Sequence, residues 1–486
     1  MIDILAIVAA LALLIYLAFR GISLIILAPV MATLAALLTG GLPLLAAYTQ
    51  IFMTNLGGFV VAFFPLFLLG AVFGRLMDDS GSANVISDVI IGRLGRQQSV
   101  LAVVLCCALL TYGGVSLFVV AFAIFPIAAA LFREADIPKR LIPASLALGA
   151  FTFTMSALPG TPAIQNAIPM PFFGTTSFAA PGLGIITGLI MLSLGMVWLM
   201  RRAAAARLAG EGYGNHADSV PDVEDHSTRQ RALGEGSAPA DVAMATDDPV
   251  VGRPHPVLAF APVVLVVAVN FLFVELVVPR LDTTYLAEER FGATNIEAVR
   301  GVWSIIVALL ASCLFILATS GRRLRDVRGS VNGGAEASVL PIFNTASLVG
   351  FGAVIAALPA FQVIADLVLN IGGGNPLISL AIAVNLLSAI TGSASGGMSI
   401  ALEALGPTYV AIAEETGTSL QAMHRVTSVA SGALDALPHN GAVITVLAIC
   451  NLTHRDSYFD IFMVAVVFPL IALCALVALA SIFGAF

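Results

Sequence analysis

Apolar runs of roughly bilayer length recur along this chain, and they leave it only two ways to fold. Segments 2–19, 22–39 and 51–74 in the first half, and 257–278, 302–320, 338–357 and 458–483 in the second, are apolar and nearly free of charge. About 20 such residues take a helix across the hydrocarbon core. Hydrocarbon offers no partner to a backbone N–H or C=O, so only helices and closed barrels span it. The runs are continuous, whereas barrel strands alternate apolar and polar residues, which excludes the barrel. Composition agrees: 59% of the 486 residues are hydrophobic and 10% charged, against about 25% charged in a globular chain. The fold class is therefore an all-α polytopic membrane protein. The net charge of −7 sits largely in loops and gives no reason to expect nucleic acid.

Two of the apolar regions are broken by polar residues. Ser431–Thr445 holds Asp435, Pro438, His439, Asn440 and two glycines, and Ser156–Asn166 holds Pro159, Gly160, Thr161, Pro162 and Gln165. Proline removes helix hydrogen bonds, and a broken backbone survives at membrane depth only where it lines a protein cavity. Paired interruptions at matching positions of two halves mark the binding site of a secondary transporter.

The rest of the chain repeats around these breaks. Each half has three spans, a mixed amphipathic segment (80–95, then 360–372) and an apolar hairpin (98–132, then 376–402). The hairpins have polar tips at Thr111–Ser116 and Thr391–Gly397, and are followed by the interrupted span (141–168, then 420–450) and a last span. Val85 and Val363 open matching Val-Ile-x-Asp runs 278 residues apart, Thr111 and Thr391 lie 280 apart, and Pro159 and Pro438 lie 279 apart. So constant an offset, kept through several kinds of element, indicates an internal duplication. The halves are 1–200 and 257–486. The Gly/Ala/Ser/Asp-rich stretch 201–256 between them reads as a flexible cytoplasmic linker. His216, His226 and His255 fall in it, too widely spaced for a metal site. Residues 1–19 lack the basic n-region and cleavage site of a signal peptide and read as a first span. The five cysteines lie in apolar runs as small hydrophobic residues.

Orientation follows from the basic residues. With the linker in the cytoplasm, 18 of the 22 lysines and arginines fall inside, and only Arg280, Arg290, Arg300 and Arg425 fall outside. Each half then crosses five times, so the second copy is inverted and both termini are external. The first hairpin opens from the cytoplasm and the second from the exterior. His424 and Arg425 read as an interfacial anchor, leaving no lysine or arginine near the middle of a span.

Substrate-binding candidates come from all four polar pieces: Thr111, Tyr112, Gly113 and Ser116; Thr161 and Asn166; Thr391, Ser393 and Ser395; and Asn440. Half-helix N-termini carry positive partial charge, so hydroxyls, amides and dipoles would hold an anion there. The glycines can equally serve close helix packing. Asp435 and His439, four apart, would share a face if the helix continued that far, and are the ion-coupling candidates. A structural pair at the break is the competing reading, and Na⁺ held by carbonyls with Asp435, Asn440 or Asn166 is the alternative to H⁺. No catalytic residue, metal ligand or cofactor is expected. A membrane-embedded enzyme using Asp435 and His439 as acid and base would need a nucleophile or metal that the neighbourhood lacks.

The runs Thr391–Gly406 (TGSASGGMSIALEALG) and Ser431–Thr445 (SGALDALPHNGAVIT) resemble the gluconate permease family of the wider ion-transporter superfamily. The resemblance covers most of the chain and is most specific in the second half. It is nearer to the branch labelled D-β-hydroxybutyrate permease, because Ala157–Pro162 lacks the histidine and consecutive prolines that gluconate permeases tend to carry. It implies H⁺-coupled symport of a small hydroxy-carboxylate across the bacterial inner membrane. It further implies a homodimer in lipid, in which hairpins and interrupted spans move elevator-fashion against a scaffold, linked to it by the segments 80–95 and 360–372.

Overall fold

A computed structural model describes residues 2–20, 22–40, 42–95, 98–214, 253–371, 373–438 and 440–486, and among them every regular element is helical. The first copy runs α1 (Ile2–Phe19), α2 (Leu24–Thr39), α3 (Leu44–Asp79), α4 (Ser82–Leu94), α5 (Ser99–Tyr112), α6 (Leu117–Glu134) and α7 (Ile142–Ala150). Short turns of helix follow at Phe153–Ser156, Ile164–Ala167 and Pro169–Phe173, and α8 (Pro181–Leu208) ends the copy. The second copy repeats the order as α9 (Pro256–Arg280), α10 (Ile296–Ser320), α11 (Val327–Ala356), α12 (Phe361–Asn370), α13 (Pro376–Thr391) and α14 (Ala394–Thr416). It closes with α15 (Leu420–Ser431), α16 (Gly441–Ile449) and α17 (His454–Phe483).

The duplication is thus carried element by element. The starts of α5 and α13, at 99 and 376, and of α6 and α14, at 117 and 394, are each 277 residues apart. Among the described residues, six helices are long and apolar enough to cross a membrane: α3, α8, α9, α10, α11 and α17. Their outward faces carry large hydrophobics such as Val61 at 82% and Leu189 at 55% exposed. On helices of this length and apolarity, such side chains suit lipid.

α3 and its counterpart α11 pack along each other at the centre. Small residues permit the approach: a Cβ on Gly334 would meet the Val72 backbone at 2.6 Å, and one on Gly350 would meet the Phe52 carbonyl at 2.8 Å. α2 packs on α11 and α10 on α3, the same contact made twice by symmetry. A separate apolar core fixes α1 and α2 against the start of α3 and the end of α11. Around this frame lie the hairpins α5–α6 and α13–α14, which pack on α7 and α15 respectively. α14 runs along α11, whereas α6 meets α3 near its tip, where Gly74 faces Val115 and Ser116.

One boundary moves from where the sequence put it. α8 continues to Leu208, and Glu211 pairs with Arg140 at 2.6 Å, so the structured first half extends past 201. His216 and His226 lie outside the described residues, and the ring of His255 accepts a bond from the Val257 N–H at the start of α9. Among the described residues, no group of histidine, cysteine or acidic side chains is arranged to hold a metal ion.

Candidate functional site

Each interrupted span ends a helix early and leaves backbone groups to be satisfied. In the first break Tyr112 donates its hydroxyl to the Pro159 carbonyl at 2.7 Å, and the Gly160 N–H bonds the Ser177 carbonyl at 2.9 Å. In the second, His454 Nε2 lies 2.8 Å from the Pro438 carbonyl, and the Tyr458 hydroxyl donates to Ala436 at 3.3 Å. Asn440 caps α16 by accepting from the N–H groups of Ala442 and Val443 at 2.6 and 3.2 Å. Its amide donates to the Gly392 carbonyl at 2.8 Å, which ties the second hairpin tip to the second break. The first tip touches the first break through Gly114, whose φ of +98° suits glycine and where a Cβ would stand 2.8 Å from Pro162 Cγ.

These four pieces line a partly open cavity of about 190 Å³. The first tip contributes Thr111, Gly114, Val115, Ser116 and Leu117, and the first break Pro162, Ala163, Ile164 and Gln165. The second tip contributes Ser393, Ala394 and Ser395, and the second break Asp435 and Ala442. The α3–α11 frame closes the remaining side with Phe67, Gly70, Ser338, Pro341 and Thr345. Three helices of nine or more residues begin at this wall: α6 at Leu117, α14 at Ala394 and α16 at Gly441. Their N-terminal N–H groups carry positive partial charge. The Thr111 hydroxyl is buried with no partner. The cavity thus combines helix dipoles, hydroxyls, one amide and one carboxylate, a set suited to a small anion with hydroxyl groups and to a proton on Asp435.

Of the residues singled out in the sequence, the structure brings Thr111, Ser116, Ser393, Ser395 and Asp435 to the cavity. The others have different work. Tyr112 holds the first break, as above. Gly113 faces α9, where a Cβ would meet Val263 at 2.8 Å, so its role is close packing. Thr161 and Asn166 are fully buried away from the cavity wall. Thr391 bonds back to Leu387 at 2.8 Å within α13, and Asn440 is a cap. α15 ends at Ser431, so Asp435 stands in the irregular stretch and shares no continuous helix with position 439. His439 itself lies outside the described residues.

The interfacial reading of His424 and Arg425 is corrected: both are 0% exposed. Arg425 donates from Nε to Ala179 O (3.1 Å) and from Nη1 to Ser156 O (3.4 Å) and Asn166 Oδ1 (3.1 Å). Its Nη2 donates to Ser177 O (3.3 Å) and Ala179 O (2.7 Å). His424 bridges Thr175 Oγ1 at 2.6 Å and Asn166 Oδ1 at 3.1 Å, and the Ser428 hydroxyl donates to Ser156 O at 2.8 Å. Asn166 Nδ2 donates to Thr161 O and Ser177 O at 3.0 and 2.9 Å, so its Oδ1 is the acceptor and His424 Nε2 donates to it. One face of α15 therefore clasps the first break. Gln165, whose amide lines the cavity, was also passed over; its place beside the paired prolines was the signal available.

No family model matches the chain. It is 41% identical over 489 residues to the uncharacterized transporter YxjC of Bacillus subtilis, covering 98% of this chain and 100% of that protein. An uncharacterized transporter of Haemophilus influenzae is 35% identical over 85 residues, 18% of this chain and 20% of that one. Among solved structures, the YdaH transporter of Alcanivorax borkumensis superposes with a TM-score of 0.53 at 16% identity, covering 90% of this chain and 89% of that one. MtrF of Neisseria gonorrhoeae, described as illuminating a class of antimetabolite efflux pumps, gives 0.50 at 15% identity, covering 90% and 84%. At these identities the solved structures show a shared fold.

Proposed function

The chain belongs to the transporter family that includes YxjC of Bacillus subtilis, and from that premise we propose that it is an H⁺-coupled symporter of a small hydroxy-carboxylate, with the gluconate and D-β-hydroxybutyrate permeases as its functional model. The observation that carries this reading is the convergence of both hairpin tips and both breaks on one cavity holding Asp435. Helix N-termini and serine and threonine hydroxyls suit a carboxylate with neighbouring hydroxyls. A second negative charge in the same cavity repels that anion, so Asp435 binds it best when protonated. Proton and anion then enter together, which is the physical basis of symport.

The hairpins and interrupted spans interlock through the Asn440, Tyr112 and Arg425 bonds, which supports their moving as one body. The α3–α11 pair provides the surface they would slide against, with α4 and α12 as the connecting arms, in an inner-membrane homodimer whose termini are external. Uptake of labelled D-3-hydroxybutyrate and gluconate into proteoliposomes tests the proposal. Uptake driven by an inward proton gradient, at constant Na⁺, is the expected result. Uptake that ignores ΔpH and follows an imposed Na⁺ gradient assigns the coupling to Na⁺ instead.

A further inference from the structure

A guanidinium buried in a membrane protein is ordinarily matched by a carboxylate, and Arg425 is not. Its five hydrogen bonds all end on neutral oxygens, three backbone carbonyls and the Asn166 amide, and among the described residues no acidic side chain pairs with it. Leaving a buried ion without a counter-charge costs several kcal/mol. A neutral donor could brace the same carbonyls without that cost. The fold does not demand a cation here either. Over the offset of 277–280 residues that relates the copies, the first copy has Ser145, Leu146, Ala147 and Leu148 in this place and no cation, and the second break is held by the neutral groups of Asn440 and Tyr458 with His454. Two of the four residues Arg425 grips adjoin lining residues in the chain: Ser156 follows Met155, and Asn166 follows Gln165, both of which line the cavity.

We propose that Arg425 is the fixed positive charge that makes this cavity select a carboxylate over a neutral ligand. It is a positioning residue that acts through the first break and its field, without touching the substrate. In a low-dielectric interior a unit charge acts well beyond contact distance. The counter-charge that Arg425 lacks among the described residues is then supplied by the substrate. This inference rests on the anion reading of the cavity given above and goes beyond it by naming the residue that sets charge selectivity.

The test measures affinity for D-3-hydroxybutyrate and for the neutral 3-hydroxybutyramide on full-length protein in nanodiscs, and takes the ratio. In Arg425→Gln the carboxylate should lose at least about ten-fold, which is about 1.4 kcal/mol, while the amide changes little and Arg425→Lys restores most of the preference. Asn166→Asp supplies a second route should Arg425→Gln fail to fold. It keeps the arginine but sets a carboxylate against it, and should lower the ratio likewise. A variant that weakens both ligands equally, or neither, overturns the proposal, because a mere brace would not discriminate charge. Wild-type protein that shows no preference for the carboxylate overturns the anion reading itself, and this inference with it, a result distinct from a preference that survives the substitutions.

Discussion

Asn440 joins two of the four pieces of the site, so its removal has a computable local cost. Asn440→Ala loses the cap of α16, worth about 1 kcal/mol, and the bond to Gly392, worth about 1 kcal/mol net. It also leaves the Gly392 carbonyl without its partner, a further penalty of about 1 kcal/mol or more when a buried acceptor goes unsatisfied. The sum, about 3 kcal/mol, acts on one small region, and at about 1.4 kcal/mol per tenfold it shifts the local equilibrium by a factor of roughly 100. Detached tip should therefore become a measurable population. Amide exchange at residues 392–397 and 441–444 should accelerate by that factor, and transport KM should rise because Ser393 and Ser395 are no longer held in the cavity wall. Asn440→Asp separates the two roles: a carboxylate still accepts from Ala442 but cannot donate to Gly392, so only the tip should loosen. Unchanged exchange at the tip in both variants would refute the tie between hairpin and break.

Three further outcomes follow from the same geometry. Asp435→Asn should abolish uptake driven by ΔpH while retaining substrate exchange; wild-type driven uptake would remove Asp435 from coupling. Gly114→Ala, forced into φ +98° with its Cβ 2.8 Å from Pro162, carries a left-handed penalty of about 1–2 kcal/mol and should lower thermal stability and raise KM together. At the end of α8, the Arg140 guanidinium holds the Glu211 carboxyl below its ordinary value of 4.5. A depressed carboxyl stabilises the folded state above its unfolded pKa and loses that contribution as pH falls through the folded one. Proteolysis after Leu208 should thus be slow at neutral pH and accelerate below about pH 4.5; a Glu211→Gln variant should show no such step.

The repeat, the hairpins and the two breaks were all legible in the sequence, because membrane helices announce themselves by length and a duplicated chain repeats its spacing. Val85 with Val363 and Pro159 with Pro438 sufficed to align the halves. Five of the named residues also reach the cavity. What the sequence hid was direction. Thr391 and Ser393 are two residues apart at a tip, yet the first bonds back into α13 and the second faces the cavity. Asn166 and Gln165 are neighbours in a short helical turn and point to different work, a buried clasp and the cavity wall. Arg425 was misread because a cation flanked by polar residues looks like an interfacial anchor, and the carbonyls that accept its bonds lie some 250 residues away in sequence. Backbone acceptors carry no sequence signature.

The central claim, that one cavity between both hairpin tips is the substrate site, is tested most directly by substrate protection of single cysteines. Ser116→Cys and Ser395→Cys, each placed in a background free of the native cysteines, lie on opposite tips of the same cavity. Both should be protected from a small thiol reagent by D-3-hydroxybutyrate or gluconate, with one half-maximal concentration that matches the transport KM. Protection of one tip alone, or of neither while transport persists, would place the substrate elsewhere and contradict the account.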